Sequence, residues 1–80
     1  MPNLRLFASA RDAAGVGRDT IEGQTVAAVL ANAVTRYGEA FAALLPTCRV
    51  WVNGEQAEPT DPVAAGDEVA VLPPVSGGAG

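Results

Sequence analysis

The sequence predicts a single α+β domain in which a mixed sheet of four to five strands packs against one main helix. Three observations carry this prediction. Asn3–Ala8 alternates at the period of two that marks a half-buried strand, and Glu68–Leu72 reads as the last strand. Val26, Val29, Leu30, Ala33, Val34 and Tyr37 recur at the spacing of one buried helix face. Asn53-Gly54, between a Val/Trp run and a short return, is the strongest short hairpin signal.

The elements follow in order. In the first strand, Leu4 and Leu6 share a face with Ala8. Ser9–Gly15 reads as a short helical turn or loop, closed by Gly15 and Gly17. Arg18–Glu22 reads as a second strand, antiparallel to the first. Thr25 is placed to cap the main helix, and Gly38 to stop it. Glu39–Leu45 fits a second short helix, ended by Pro46. Cys48–Val52 is rich in the β-branched and aromatic residues that suit strands, and Gln56-Ala57 begins a short return. Pro59, Asp61, Pro62 and Gly66 make the next stretch a loop. Pro73-Pro74 ends the last strand, since proline donates no ladder hydrogen bond. The first and last strands are expected side by side in the sheet centre. The domain spans residues 1–74, and residues 75–80 form a flexible tail.

Composition narrows the function classes. The chain of 80 residues buries a thin core and leaves little room for a deep substrate pocket. Its net charge is -4 and its five basic residues are scattered arginines, which argues against nucleic-acid binding. There is no apolar run of membrane-spanning length and no leader pattern, so a cytoplasmic protein is expected. Cys48 is the single cysteine and there is no histidine, so an internal disulfide and a Cys/His zinc site are both excluded.

The last residues carry the most information. Ser76-Gly77-Gly78-Ala79-Gly80 is small, glycine-rich and expected to stay mobile. Extended, Val75–Gly80 reaches on the order of 20 Å. Such a thread can enter a narrow channel in another protein and present its terminal carboxylate there. Pro73-Pro74 stiffens the exit. A glycine-rich terminus can equally be a frayed end without a role.

Three segments resemble one family. The run Gly66–Gly78 is similar to the end of the MoaD-type small subunit of molybdopterin synthase. Leu6-Phe7-Ala8-Ser9-Ala10-Arg11-Asp12-Ala13-Ala14-Gly15 resembles that family's first strand and turn, and Val50–Glu55 fits its hairpin. The thiamine carrier ThiS shares the fold and the diglycine end, but lacks the Ala-Arg-Asp-Ala-Ala-Gly segment. The resemblance implies a β-grasp (ubiquitin-like) fold and a carrier with no catalytic residues of its own. An adenylating partner would use ATP to activate the C-terminal glycine, and a sulfur donor would convert it to a thiocarboxylate. The large synthase subunit, or another sulfur acceptor, would take up the tail. No cofactor would be stably bound.

The family pattern ends at the diglycine, whereas Ala79-Gly80 follow here. The sulfur-carrying residue is therefore expected to be Gly78 after processing by a protease, or Gly80 without it, with Gly77 alongside. Partner contacts are expected from Pro73, Pro74, Val75, Ser76 and Gly77, and from Phe7 and Trp51. Trp51 has opposite parity to Val50 and Val52, so it faces either a partner or a covering loop. Cys48 reads as a small buried hydrophobe rather than a sulfur relay. Asp67-Glu68 reads as a turn into the last strand, and Arg11 as a loop arginine near the tail's exit. A ubiquitin-like modifier, joined to a target lysine through the same tail, is the alternative. The same fold also suits thiamine, cysteine or tRNA sulfur carriers.

Overall fold

A computed structural model describes residues 1–74, so the expected tail at 75–80 lies outside the described residues. Among the described residues five strands form one mixed sheet: β1 (Asn3–Leu6), β2 (Arg18–Thr20), β3 (Arg49–Val52), β4 (Glu55–Gln56) and β5 (Glu68–Leu72). Their spatial order is β2-β1-β5-β3-β4. The central pair, β1 with β5, is parallel, with Leu4 beside Val69 and Leu6 beside Val71. The other pairings are antiparallel. The expected placement of the first and last strands at the sheet centre is therefore observed.

Leu4, Leu6, Val69 and Val71 project from the two central strands into the core. Opposite them lies α2 (Val26–Tyr37), which contributes Val26, Val29 and Ala33. Ala10 of α1 (Ala8–Ala14), Phe41 of α3 (Glu39–Leu44), Ile21 and Val63 complete the core. The mixed sheet therefore packs against the main helix and two shorter ones.

α2 begins where the sequence places it. The Thr25 hydroxyl accepts a hydrogen bond from the Ala28 N–H at 3.1 Å. The remaining early donors are met by the loop before β5, since Val26 N–H donates to the Asp61 carbonyl and Ala27 N–H to that of Pro59. Gly38 takes a φ of 98° and a ψ of -165°, which ends the helix, and its N–H donates to the Val34 carbonyl.

Several boundaries differ from the sequence expectation. β1 ends at Leu6, because Ala8 turns the chain with a φ of 50° and opens a true helix, not a loose turn. Ala8 is consequently exposed and does not share the face of Leu4 and Leu6. β2 ends at Thr20, leaving Ile21 to enter the core beyond the ladder. Pro46 does not follow a helix stop. It sits within a 3₁₀ turn, Leu45–Thr47, where its missing N–H costs nothing. β3 starts at Arg49 rather than Cys48, and the return strand is Glu55–Gln56 rather than Gln56-Ala57.

Candidate functional site: the outer sheet face and the tail exit

The helices cover one face of the sheet, and strand parity assigns the other. Arg5, Ala70 and Trp51 stand in one cross-strand row, with Arg49 beside Leu72 in the next. Arg18 lies directly opposite Arg5 on the other side of β1. Phe7 follows one step beyond Leu6, and its N–H donates to the Val71 carbonyl at 3.3 Å. This places Phe7 next to Leu72, where the chain leaves the sheet toward Pro73 and Pro74.

Val50 and Val52 pack against the core, whereas Phe7, Trp51, Ala70 and Leu72 are half-buried without joining it. The parity argument for Trp51 therefore holds, and the outer face is an apolar strip bordered by guanidinium groups. Pro73 is half-buried and Pro74 exposed. Val75, Ser76, Gly77, Gly78 and Gly80 lie outside the described residues.

Arg5 is the most organised side chain of this face. Its guanidinium lies 5.1 Å from the centre of the Phe7 ring. Its approach to Glu68 is 4.0 Å, the outer limit of an ion pair. Its Nε is buried without a hydrogen-bond partner among the described residues.

Other candidate groups are structural. Burial raises the Cys48 thiol above its ordinary value, and Sγ–H points to the Leu44 carbonyl at 3.5 Å. A thiol so placed is a poor nucleophile. Asp67 fixes the β3–β4 hairpin against β5. One carboxylate oxygen accepts from Ala64 N–H at 2.8 Å and the other from Asn53 Nδ2 at 3.1 Å. These bonds hold its carboxyl below the usual range. The Asn53 side-chain oxygen in turn accepts from Glu68 N–H at 2.9 Å. No cluster of three metal-ligating side chains occurs among the described residues.

Sequence reasoning missed one polar assembly. Asp19 on β2 accepts the Tyr37 hydroxyl at 2.7 Å and Arg36 Nη1 at 3.0 Å. The tyrosine hydrogen bond, then the arginine, hold Asp19 below its ordinary value. Burial and the adjacent carboxylate push the Tyr37 phenol far upward. Tyr37 also meets Phe41 edge-to-face, with ring centres 5.3 Å apart. The helix pattern gave Tyr37 to the core but offered no signal for its partner across the chain.

A mixed sheet of this strand order, clasping one long helix and releasing its chain beside an apolar outer face, defines a β-grasp protein of the ubiquitin-like class. Within that class the chain belongs to the ThiS family, whose model matches residues 4–78. It is 38% identical to a molybdopterin synthase sulfur carrier subunit of Chlamydomonas reinhardtii, over 90% of this chain and 92% of that protein. SAMP1 of Haloferax volcanii is 32% identical, with a TM-score of 0.82 over 95% of this chain and 97% of that one. Subunits 1 and 2 of the molybdopterin-converting factor of Helicobacter pylori, solved as a complex, include a similar fold. There the TM-score is 0.70 at 21% identity, covering 95% of this chain and 96% of that one.

Proposed function

We propose that this chain is a sulfur carrier for molybdopterin synthesis and holds sulfur as a thiocarboxylate on its terminal glycine. The observation that carries the reading is the family match, which runs from Leu4 through the diglycine to Gly78. The Chlamydomonas relative, named a synthase sulfur carrier subunit, supports the pathway. The Helicobacter complex of two subunits supports a protein partner that accepts the sulfur.

The division of labour follows from the chemistry. A free carboxylate is a poor electrophile. In an adenylating partner its oxygen attacks the α-phosphorus of ATP, pyrophosphate leaves, and an acyl adenylate forms. A sulfur nucleophile then attacks the acyl carbon and AMP departs, leaving the thiocarboxylate. ATP belongs to the partner, and this chain contributes the carried group and the docking surface. Phe7, Trp51, Pro73 and Pro74 form the docking edge; Val75, Ser76 and Gly77 thread inward. Gly78 carries sulfur once a protease has removed Ala79-Gly80, and Gly80 carries it otherwise. The reading places the chain in the cytoplasm with these partners.

Intact mass after incubation with ATP, the adenylating enzyme and a sulfur donor tests the proposal. The expected result is replacement of one oxygen by sulfur, on a chain ending at Gly78 or Gly80. An unchanged mass with a competent enzyme refutes it. The likeness to SAMP1, described as a small archaeal modifier protein, supports a second reading, conjugation to a target lysine. Isopeptide adducts in the same incubation, with no thiocarboxylate, would select it. Chains of this protein through its own lysines are ruled out, since it has none.

A further inference from the structure

The molecule is acidic as a whole, yet one region of its outer face is not. Arg5, Phe7, Arg11, Gly17 and Arg18, with Leu6 at the base, line an open hollow of about 330 Å³ that contains no carboxylate. Three of the five basic residues of the chain meet there. Arg11 lies across Gly17, where an added Cβ would stand 3.4 Å from its Nε. Among the described residues neither Arg11 nor Arg18 makes an ion pair, and Arg5 has only its distant approach to Glu68.

This arrangement works against the fold. Arg5 and Arg18 are direct cross-strand neighbours, and like charges in that position are destabilising. The buried, unpaired Nε of Arg5 adds a second cost. The like-charge cost is relieved by arrival of an anion from outside. Guanidinium forks take carboxylate and phosphate alike, and the place of the hollow beside the tail exit favours a carboxylate of a protein partner. The Leu6, Phe7 and Arg11 amides are already committed to the Gly17, Val71 and Phe7 carbonyls, so no backbone cradle is left from those residues. The hollow also continues past Phe7 onto the apolar strip at the tail exit.

We infer that the Arg5–Arg11–Arg18 hollow receives an acidic segment of the protein that takes up the tail. This rests on the carrier reading and adds the chemistry of the partner: carboxylates set beside an apolar patch. The guanidinium groups steer the encounter and fix its register, while Phe7, Leu72 and Trp51 supply the contact area.

Two measurements test it. The first titrates the full-length chain with N-acetyl-hexaglutamate, following amide NMR shifts. Shifts should concentrate at Arg5, Phe7, Arg11 and Arg18, disappear in the R5Q/R18Q double variant, and weaken severalfold between about 20 and 200 mM salt. Shifts confined to the tail, spread evenly, or absent overturn the inference. The second uses Arg18→Glu, which creates an opposite-charge pair with Arg5. Its melting temperature should rise by a few degrees, while affinity for the adenylating enzyme or the synthase large subunit falls about tenfold or more. Arg18→Lys should keep most of the affinity. A more stable Arg18→Glu protein that binds its partner unchanged overturns the inference. Hexaglutamate binding in the hollow by a chain that never acquires sulfur supports the hollow and counts against the carrier reading alone.

Discussion

Asp19 shows how much one carboxylate can organise in a small domain. It joins the short edge strand β2 to the end of α2 through Tyr37 and Arg36. Asp19→Asn keeps the shape but loses the charge that both donors seek, and should cost about 1–2 kcal/mol in urea unfolding. The pH dependence has a definite sign. Asp19 is held below its ordinary value of 3.8 in the folded state, so its contribution is present above that value. It is lost as pH falls through the lower folded value. Acid unfolding should therefore begin at higher pH in Asp19→Asn than in the parent, as followed by far-ultraviolet circular dichroism. Gly23 is the other critical position. A Cβ there would lie 2.6 Å from Val29 N and 2.7 Å from Val29 Cγ2, inside the body of α2. Gly23→Ala should therefore destabilise by about 2 kcal/mol or more, since helix backbone has to move.

At the scale of elements, long periodic segments were legible and junctions were not. The α2 stripe identifies its own buried face, and Thr25 announces its start, because both signals lie within consecutive residues. Thr25→Ala should cost about 1 kcal/mol in thermal or chemical unfolding. Asn53-Gly54 announces its turn for the same reason, with positive φ at both residues. Ala8 illustrates the opposite case. Left-handed φ is ordinarily signalled by Gly or Asn, and an alanine there reads as one more strand residue. The packing of α1 on the core, through Ala10, selects the turn instead. Ala8→Gly should consequently be tolerated, or stabilise by up to about 1 kcal/mol, unlike the same change inside α2. The site divides likewise. Parity alone placed Trp51 on the face away from the core. The convergence of Arg5, Arg11 and Arg18 depends on strand register and on the α1 turn, neither of which a linear pattern encodes.

For the whole molecule, the proposed function assigns stability to one sheet face and recognition to the other. Phe41 is fully buried beneath the helices, and Phe41→Ala should lose about 3–5 kcal/mol. Trp51 lies outside the core cluster, so Trp51→Ala should cost the fold clearly less. Its effect should appear instead as at least about tenfold weaker partner binding. Measuring unfolding and affinity on both variants checks this separation.

The central β1–β5 pair also imposes an order of events on biosynthesis. These strands lie near opposite ends of the chain, and each contributes half of the sheet's buried Leu and Val rows. A ribosome that has made β1 through β4 has not yet made the strand that joins them. The sheet can close only after Leu72 has emerged, and the diglycine segment follows within a few residues. Contacts this distant in sequence form slowly. The outer face needs β5 to unite Phe7 with Trp51, so it is assembled only when synthesis of the chain is nearly complete. An unfinished chain that lacks β5 therefore has no united outer face.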